Sequence, residues 1–159
     1  MPYFTDIKYD EFFPVVEDTL RGRLPPGLEA FKWRRPGNNY IRLRYLSLKN
    51  SYYELQFSDY SEHHPEYFEK GPHIILAFYY EASFDKRIVW LDALNPYVDY
   101  ICEQLGTTVK SGQWGKNWAC LITNLDNETR STEHFSRLIA YFIQATYIPI
   151  NLAFKAMGQ

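Results

Sequence analysis

Only two cysteines occur in the 159 residues, Cys102 and Cys120, so no disulfide framework is available to staple the fold. Both fall among apolar neighbours, Cys102 on a helical stripe and Cys120 inside the run from Trp118 to Ile122, where reduced, buried thiols belong. No apolar run approaches the ~20 residues that span a bilayer, so no membrane partner is expected. The opening stretch from Met1 to Asp6 has neither a basic region nor an apolar core. A secretory signal is therefore not expected, and a cytoplasmic location is. An excess of one charge is missing too. The formal net charge is -2, so any nucleic-acid binding has to come from a local patch.

The signatures of common chemistries are also lacking. There is no G-x-S-x-G, no P-loop and no nucleophile–base pair. A nuclease of the PD-(D/E)xK type needs an acid–x–lysine pair on a buried strand to hold Mg²⁺ at the scissile phosphate. No expected strand carries one, and Glu69 and Lys70 are adjacent residues of a loop. These gaps imply no cofactor and make an enzyme the weaker expectation. No internal repeat, low-complexity tract or linker divides the chain, so residues 1–159 are read as a single domain.

What is abundant is aromatic surface. Aromatic residues make up 18% of the chain, with 14 Tyr and 11 Phe, and strands favour them. The stretch from Pro72 to Gly106 organises the rest. His73 to Tyr80 reads as a buried strand, and the helix after it repeats Phe84, Ile88, Leu91, Leu94, Val98, Ile101 and Leu105 at three- and four-residue spacing. Asn95 and Pro96 interrupt this helix with the stripe still in phase, which predicts a kink or two segments end to end. Gly106 ends it.

A first helix is expected over Tyr9–Arg21, with Phe13, Val16 and Leu20 on one face and Asp18 off it. Strands follow at Leu28–Arg34, Tyr40–Leu46 and Tyr52–Ser58, the last two alternating with period two, so antiparallel hairpins are expected. A hairpin of Thr107–Lys110 with Trp118–Thr123, then a helix from about Thr132 bent or ended by Pro149, completes the chain. The expected fold class is α+β: an antiparallel sheet of five to six strands with helices mainly on one face, in the order α-β(3–4)-α-β-β-α.

Between Arg21 and Lys49 the only acidic residue is Glu29, against eight Lys and Arg. Arg42 and Arg44 share a strand face with Tyr40, and Arg34 is expected on the neighbouring strand. Guanidinium groups grip phosphate and rings stack on bases, so this face is a candidate nucleic-acid surface. The alternative is a solvated face whose cations pair with Glu54 and the acidic loop after it. Within that loop, Asp59, His63, His64 and Glu66 are the only dense set of candidate metal ligands. Adjacent histidines point apart and Pro65 prevents a helix from realigning them, which disfavours a metal site. Trp114 sits between Gly112 and Gly115 near Lys116, either folded back on the sheet or offered to a partner. His73 and His134 are read as structural.

Taken together, the Tyr52–Gln56 strand, the strand ending in Tyr79 and Tyr80, the Phe84–Gly106 helix, the Val109–Ile122 hairpin and the proline-containing last helix resemble a bacterial domain of unknown function. That domain is often found C-terminal to restriction-type PD-(D/E)xK nuclease domains. The resemblance runs over roughly Tyr40–Met157 and carries no catalytic residues. It implies a non-catalytic accessory module that contacts DNA in a restriction or defence setting, although no nuclease motif lies in Met1–Asn39. A second likeness, to small secretion-chaperone folds, implies a homodimer that binds an extended protein partner. The leading expectation is a nucleic-acid-binding module using Arg34, Tyr40, Arg42, Arg44, Trp114 and Lys116. The alternative is a protein–protein adaptor or chaperone-like dimer, and a metal-dependent hydrolase comes third.

Overall fold

The computed structural model describes residues 18, 28–31, 40–45, 50–58, 73–125 and 132–158. Of the expected first helix, only Asp18 is among them; it is helical and exposed. The strands are β1 (Leu28–Phe31), β2 (Tyr40–Tyr45), β3 (Ser51–Ser58), β4 (His73–Glu81), β5 (Val109–Trp114) and β6 (Trp118–Leu125). All pair antiparallel in one sheet of order β1-β2-β3-β4-β6-β5. The helices are α1 (Phe84–Leu94), α2 (Val98–Leu105) and α3 (Thr132–Ala156), with a 3₁₀ turn at Asn95–Tyr97 between the first two. The α+β class with an antiparallel sheet is what the alternating strands and amphipathic helices called for.

Alternation along the central strands gives the sheet two different faces. Tyr53 and Leu55 of β3, Leu76, Phe78 and Tyr80 of β4, and Ala119 and Leu121 of β6 share one face, and α1, α2 and α3 pack on it. The opposite face buries Tyr52, Ile75, Ala77, Tyr79, Cys120 and Ile122, with Trp114 and Trp118 against them. A simple picture of one buried and one wet face therefore fails in the middle of the sheet, where β4 is buried on both sides.

Rings fix the helices to the sheet. Trp90 of α1 lies 5.8 Å from Phe78, 5.7 Å from Tyr80 and 5.8 Å from Phe154 of α3. Tyr80 and Phe154 meet edge to face at 5.0 Å. Such pairs contribute roughly 0.5–1.5 kcal/mol each beyond the area they bury. They also decide which way α1 turns. Its buried residues are Arg87, Trp90, Leu91 and Leu94, while Phe84 is more than half exposed. The expected stripe began on Phe84; the much larger indole of Trp90 takes the centre of the contact and rotates the first turn outward.

Backbone chemistry sets the boundaries. Pro96 occupies the 3₁₀ turn, where its missing N–H and fixed φ suit a first turn, and the chain continues as α2 without reversing. Gly106 closes α2 at φ 64°, its N–H donating to the Cys102 carbonyl at 2.9 Å. This is a left-handed cap that glycine adopts at little cost. The Val109 N–H donates to Cys102 Sγ at 3.2 Å, which ties β5 to α2. The hairpin is longer than expected. β5 continues to Trp114, which pairs with Trp118 across a turn of residues 115–117.

The last helix runs unbroken from Thr132 to Ala156 with Pro149 inside it. Proline removes the N–H that would bond the Ala145 carbonyl, and its ring pushes that carbonyl aside. One turn earlier, Thr146 Oγ1 donates to the Phe142 carbonyl at 2.7 Å, a back-bond that also favours bending. Because the Thr146 proton is used there, the Tyr53 hydroxyl must be the donor in its 2.8 Å bond to Thr146 Oγ1. Sheet and helix are thereby joined by a buried polar chain.

Candidate functional site

The outer side of α3 carries the exposed apolar surface. At 100° per residue, Arg137, Tyr141, Gln144, Ile148, Leu152 and Lys155 fall within an arc of about 80°, opposite the residues that face the core. All six are exposed, with Ile148 at 63%, Tyr141 at 61% and Leu152 at 39% of their full accessibility. Beside them on α2 stands Tyr100, 52% exposed. Between the two helices lies a cleft of about 280 Å³, lined by Tyr97, Tyr100, Gln144, Ala145, Ile148, Pro149 and Leu152.

Why the cleft forms here follows from the two prolines. Pro96 places a 3₁₀ turn between α1 and α2, and Pro149 stands at the matching level of α3. Proline at 149 also leaves the Ala145 carbonyl without a helical donor, so an otherwise apolar cleft has an acceptor in its wall. The helices flanking it run in opposite directions: Trp90 packs on Phe154, while Tyr97 and Tyr100, further along the chain, share the cleft with residues 144 to 152. Asp92, Asp99 and Glu103 are exposed on the α1–α2 side. Arg137 and Lys155 are exposed at the two ends of the α3 stripe. Among the described residues, no ion pair engages any of these five charges.

A second feature is Arg87, only 4% exposed. Its Nη1 donates to the Lys116 carbonyl at 2.6 Å, its Cζ lies 5.7 Å from the Phe84 ring centre, and its Nε has no partner among the described residues. The guanidinium thus ties the start of α1 to the β5–β6 turn and leaves one buried donor unused.

The residues expected to bind nucleic acid do not come together in one described cluster. Arg34 lies outside the described residues. The register sets Arg42 opposite Glu54, Arg44 opposite Tyr52 and Tyr40 opposite Gln56, so all three share the ladder with β3. Glu54, directly across the ladder from Arg42, is buried. Trp114 is half-buried, packed on the sheet face that holds Tyr52 and Tyr79, rather than standing at a hairpin tip. Lys116 is exposed in the turn. The metal candidates Asp59, His63, His64 and Glu66 lie outside the described residues. Among the described residues no group of three His, Cys, Asp or Glu could hold an ion, and no helix is long and apolar enough to cross a membrane.

The sequence reading missed Tyr100, Tyr141, Ile148 and Leu152. A signal was present: Tyr141, Ile148 and Leu152 recur at intervals of seven and four, about a third of a turn away from the stripe of Leu138, Phe142 and Ile143. Comparison with protein-family models, curated proteins and solved structures yields no match.

Proposed function

We propose that this chain is a protein-interaction module without a catalytic step, whose working surface is the cleft between α2 and α3. The observation that carries the reading is the row of exposed Tyr100, Tyr141, Ile148 and Leu152 around a preformed apolar cleft. Large aromatic and aliphatic residues flanking a pocket are what interface anchors are made of. They are costly to keep wet, since each half-exposed side chain forgoes on the order of 1 kcal/mol of burial. Gln144 is the polar side-chain amide in the cleft's lining.

This reading is the adaptor alternative of the sequence rather than its nucleic-acid alternative. The buried Glu54 lies directly across the ladder from Arg42, which sets a carboxylate beside the strand that the nucleic-acid alternative would offer to phosphate. Two measurements separate the readings. In an anisotropy titration of labelled single- and double-stranded DNA and RNA at two salt concentrations, the module shows no tight, steeply salt-dependent binding. In quantitative affinity capture, proteins held by the wild type are lost by Ile148→Glu. Micromolar nucleic-acid binding abolished by Arg42→Ala with Arg44→Ala, together with protein capture indifferent to Ile148→Glu, would replace this reading with the other.

A further inference from the structure

We infer that the N-terminal end of α1 is an anion site, built around the buried guanidinium of Arg87, that takes the phosphate group of a phosphomonoester. Arginine stays protonated at any working pH, so burying it is costly unless partners take up its donors. Arg87 is only 4% exposed, yet one bond engages it: Nη1 donates to the Lys116 carbonyl at 2.6 Å. Its Nε is buried without a partner, and no carboxylate pairs with the group among the described residues. With Nη1 committed, the open edge is the one formed by Nε and Nη2. The N–H bonds of that edge run parallel, the geometry that grips two oxygens of one oxyanion.

The helix adds donors of its own. Helical side chains lean toward the N-terminus, and Arg87, the fourth residue of α1, reaches back to the first: its Cζ lies 5.7 Å from the Phe84 ring centre. Ser83 holds the cap position without a side-chain bond to the backbone. The first helical bond runs from the Arg87 N–H to the Ser83 carbonyl at 3.0 Å. The amides of Phe84, Asp85 and Lys86 therefore have no acceptor among the described residues, and neither has the Ser83 hydroxyl. A helix start with open amides carries partial positive charge and receives phosphate readily. Here a buried, half-used guanidinium reaches that same end.

The surroundings decide which anion fits. Lys116 belongs to the β5–β6 turn that Arg87 holds, and in the same turn the Asn117 carbonyl accepts the Ala82 N–H at 3.0 Å, so the turn and the helix start are fixed to each other. Lys86 and Lys116 are exposed. Against these two lysines and Arg87 stand Asp85, exposed in the first turn, and the half-exposed Glu81. That balance is too weak to hold an anion by charge alone, so recognition rests on the directed donors. A phosphate has one oxygen more than the guanidinium edge can grip, and the open amides and the Ser83 hydroxyl are there to take it; a carboxylate has none to spare. None of these residues lines the α2–α3 cleft, so the site is independent of the interaction surface.

Amide and arginine Nε–H correlation spectra of the full, isotope-labelled chain test this, titrated with inorganic phosphate, with a short phosphoserine peptide, and with chloride and acetate at matched ionic strength. Phosphate is expected to shift the amides of Phe84, Asp85 and Lys86 and the Arg87 Nε–H together, saturating with a Kd of about 1 mM or tighter, while chloride and acetate leave them in place. Arg87→Lys keeps the charge but lacks the two-pronged edge, and is expected to weaken binding about tenfold or more. Because that position is buried, circular dichroism checks its fold, and two exposed positions repeat the test. Ser83→Ala removes a hydroxyl that caps nothing and weakens binding about threefold, and Lys116→Glu weakens it about fivefold. Tighter binding of the peptide than of inorganic phosphate places the group on a phosphorylated protein, and the reverse places it on a small molecule; either supports the site. Shifts that chloride or acetate reproduces, shifts that fail to saturate, or an affinity indifferent to Ser83→Ala and Lys116→Glu would overturn it.

Discussion

The buried bond between Tyr53 and Thr146 allows a prediction with a definite sign at each step. Tyr53 Oη donates to Thr146 Oγ1 at 2.8 Å, and Thr146 in turn donates to the Phe142 carbonyl at 2.7 Å. In Tyr53→Phe, Thr146 keeps its own donation and loses only an incoming bond, which costs about 0.5–1.5 kcal/mol. In Thr146→Val, a substitution of nearly equal shape, the Tyr53 hydroxyl remains buried without this acceptor, at about 1–3 kcal/mol. The double variant removes both polar groups together. The Phe142 carbonyl still has the helical amide of residue 146, so no new orphan is made. The double variant is therefore expected to cost less than the sum of the singles by about 1 kcal/mol. For a chain of this size each kcal/mol moves the melting temperature by about 2–4 °C. Urea titrations followed by circular dichroism give the three differences from the midpoints at constant slope. Costs that add to within about 0.3 kcal/mol would show that the two hydroxyls are not coupled, and the polar link between β3 and α3 would be wrong.

Three further outcomes follow from single positions. Gly106→Ala places a side chain at φ 64° where nothing lies within 4 Å, so the loss is purely conformational, about 1 kcal/mol in the same titration. Trp90→Ala removes the ring that meets Phe78, Tyr80 and Phe154, and is expected to cost about 3–5 kcal/mol, the largest loss of any single truncation in the helical layer. Pro149→Ala returns an N–H to the Ala145 carbonyl and should raise thermal stability by about 1–2 kcal/mol, part of the roughly 3 kcal/mol that a helix-interior proline costs. The same change reshapes the cleft, so stability and protein capture should move in opposite directions; a variant improved in both would separate Pro149 from the interface.

The parts of the fold that were legible in the sequence are those written in local chemistry. Pro96 marked the break between α1 and α2, Gly106 marked the end of α2, and the period-two alternation of residues 40–45 and 52–58 marked a hairpin. What was not legible depends on which of two apolar sides a helix turns inward. Phe84 fits the expected stripe by spacing, but the bulk of Trp90 sets the contact and leaves Phe84 exposed. On α3, apolar residues occur around much of the circumference, so Tyr141, Ile148 and Leu152 could be told from the core only once the sheet was in place. The burial of Glu54 was hidden for a related reason: alternation shows that a residue faces away from its neighbours, not whether that second face is also covered.

The most direct test of the account is a pair of amide correlation spectra on isotope-labelled protein, alone and with a protein that it captures, with a third after addition of DNA. The cleft reading predicts that the captured protein shifts signals gathered at Tyr97, Tyr100, Gln144, Ile148 and Leu152, with β2 unmoved by DNA. Shifts confined to β2 around Arg42 and Arg44 on adding DNA, with the α2–α3 surface silent toward the captured protein, would contradict it.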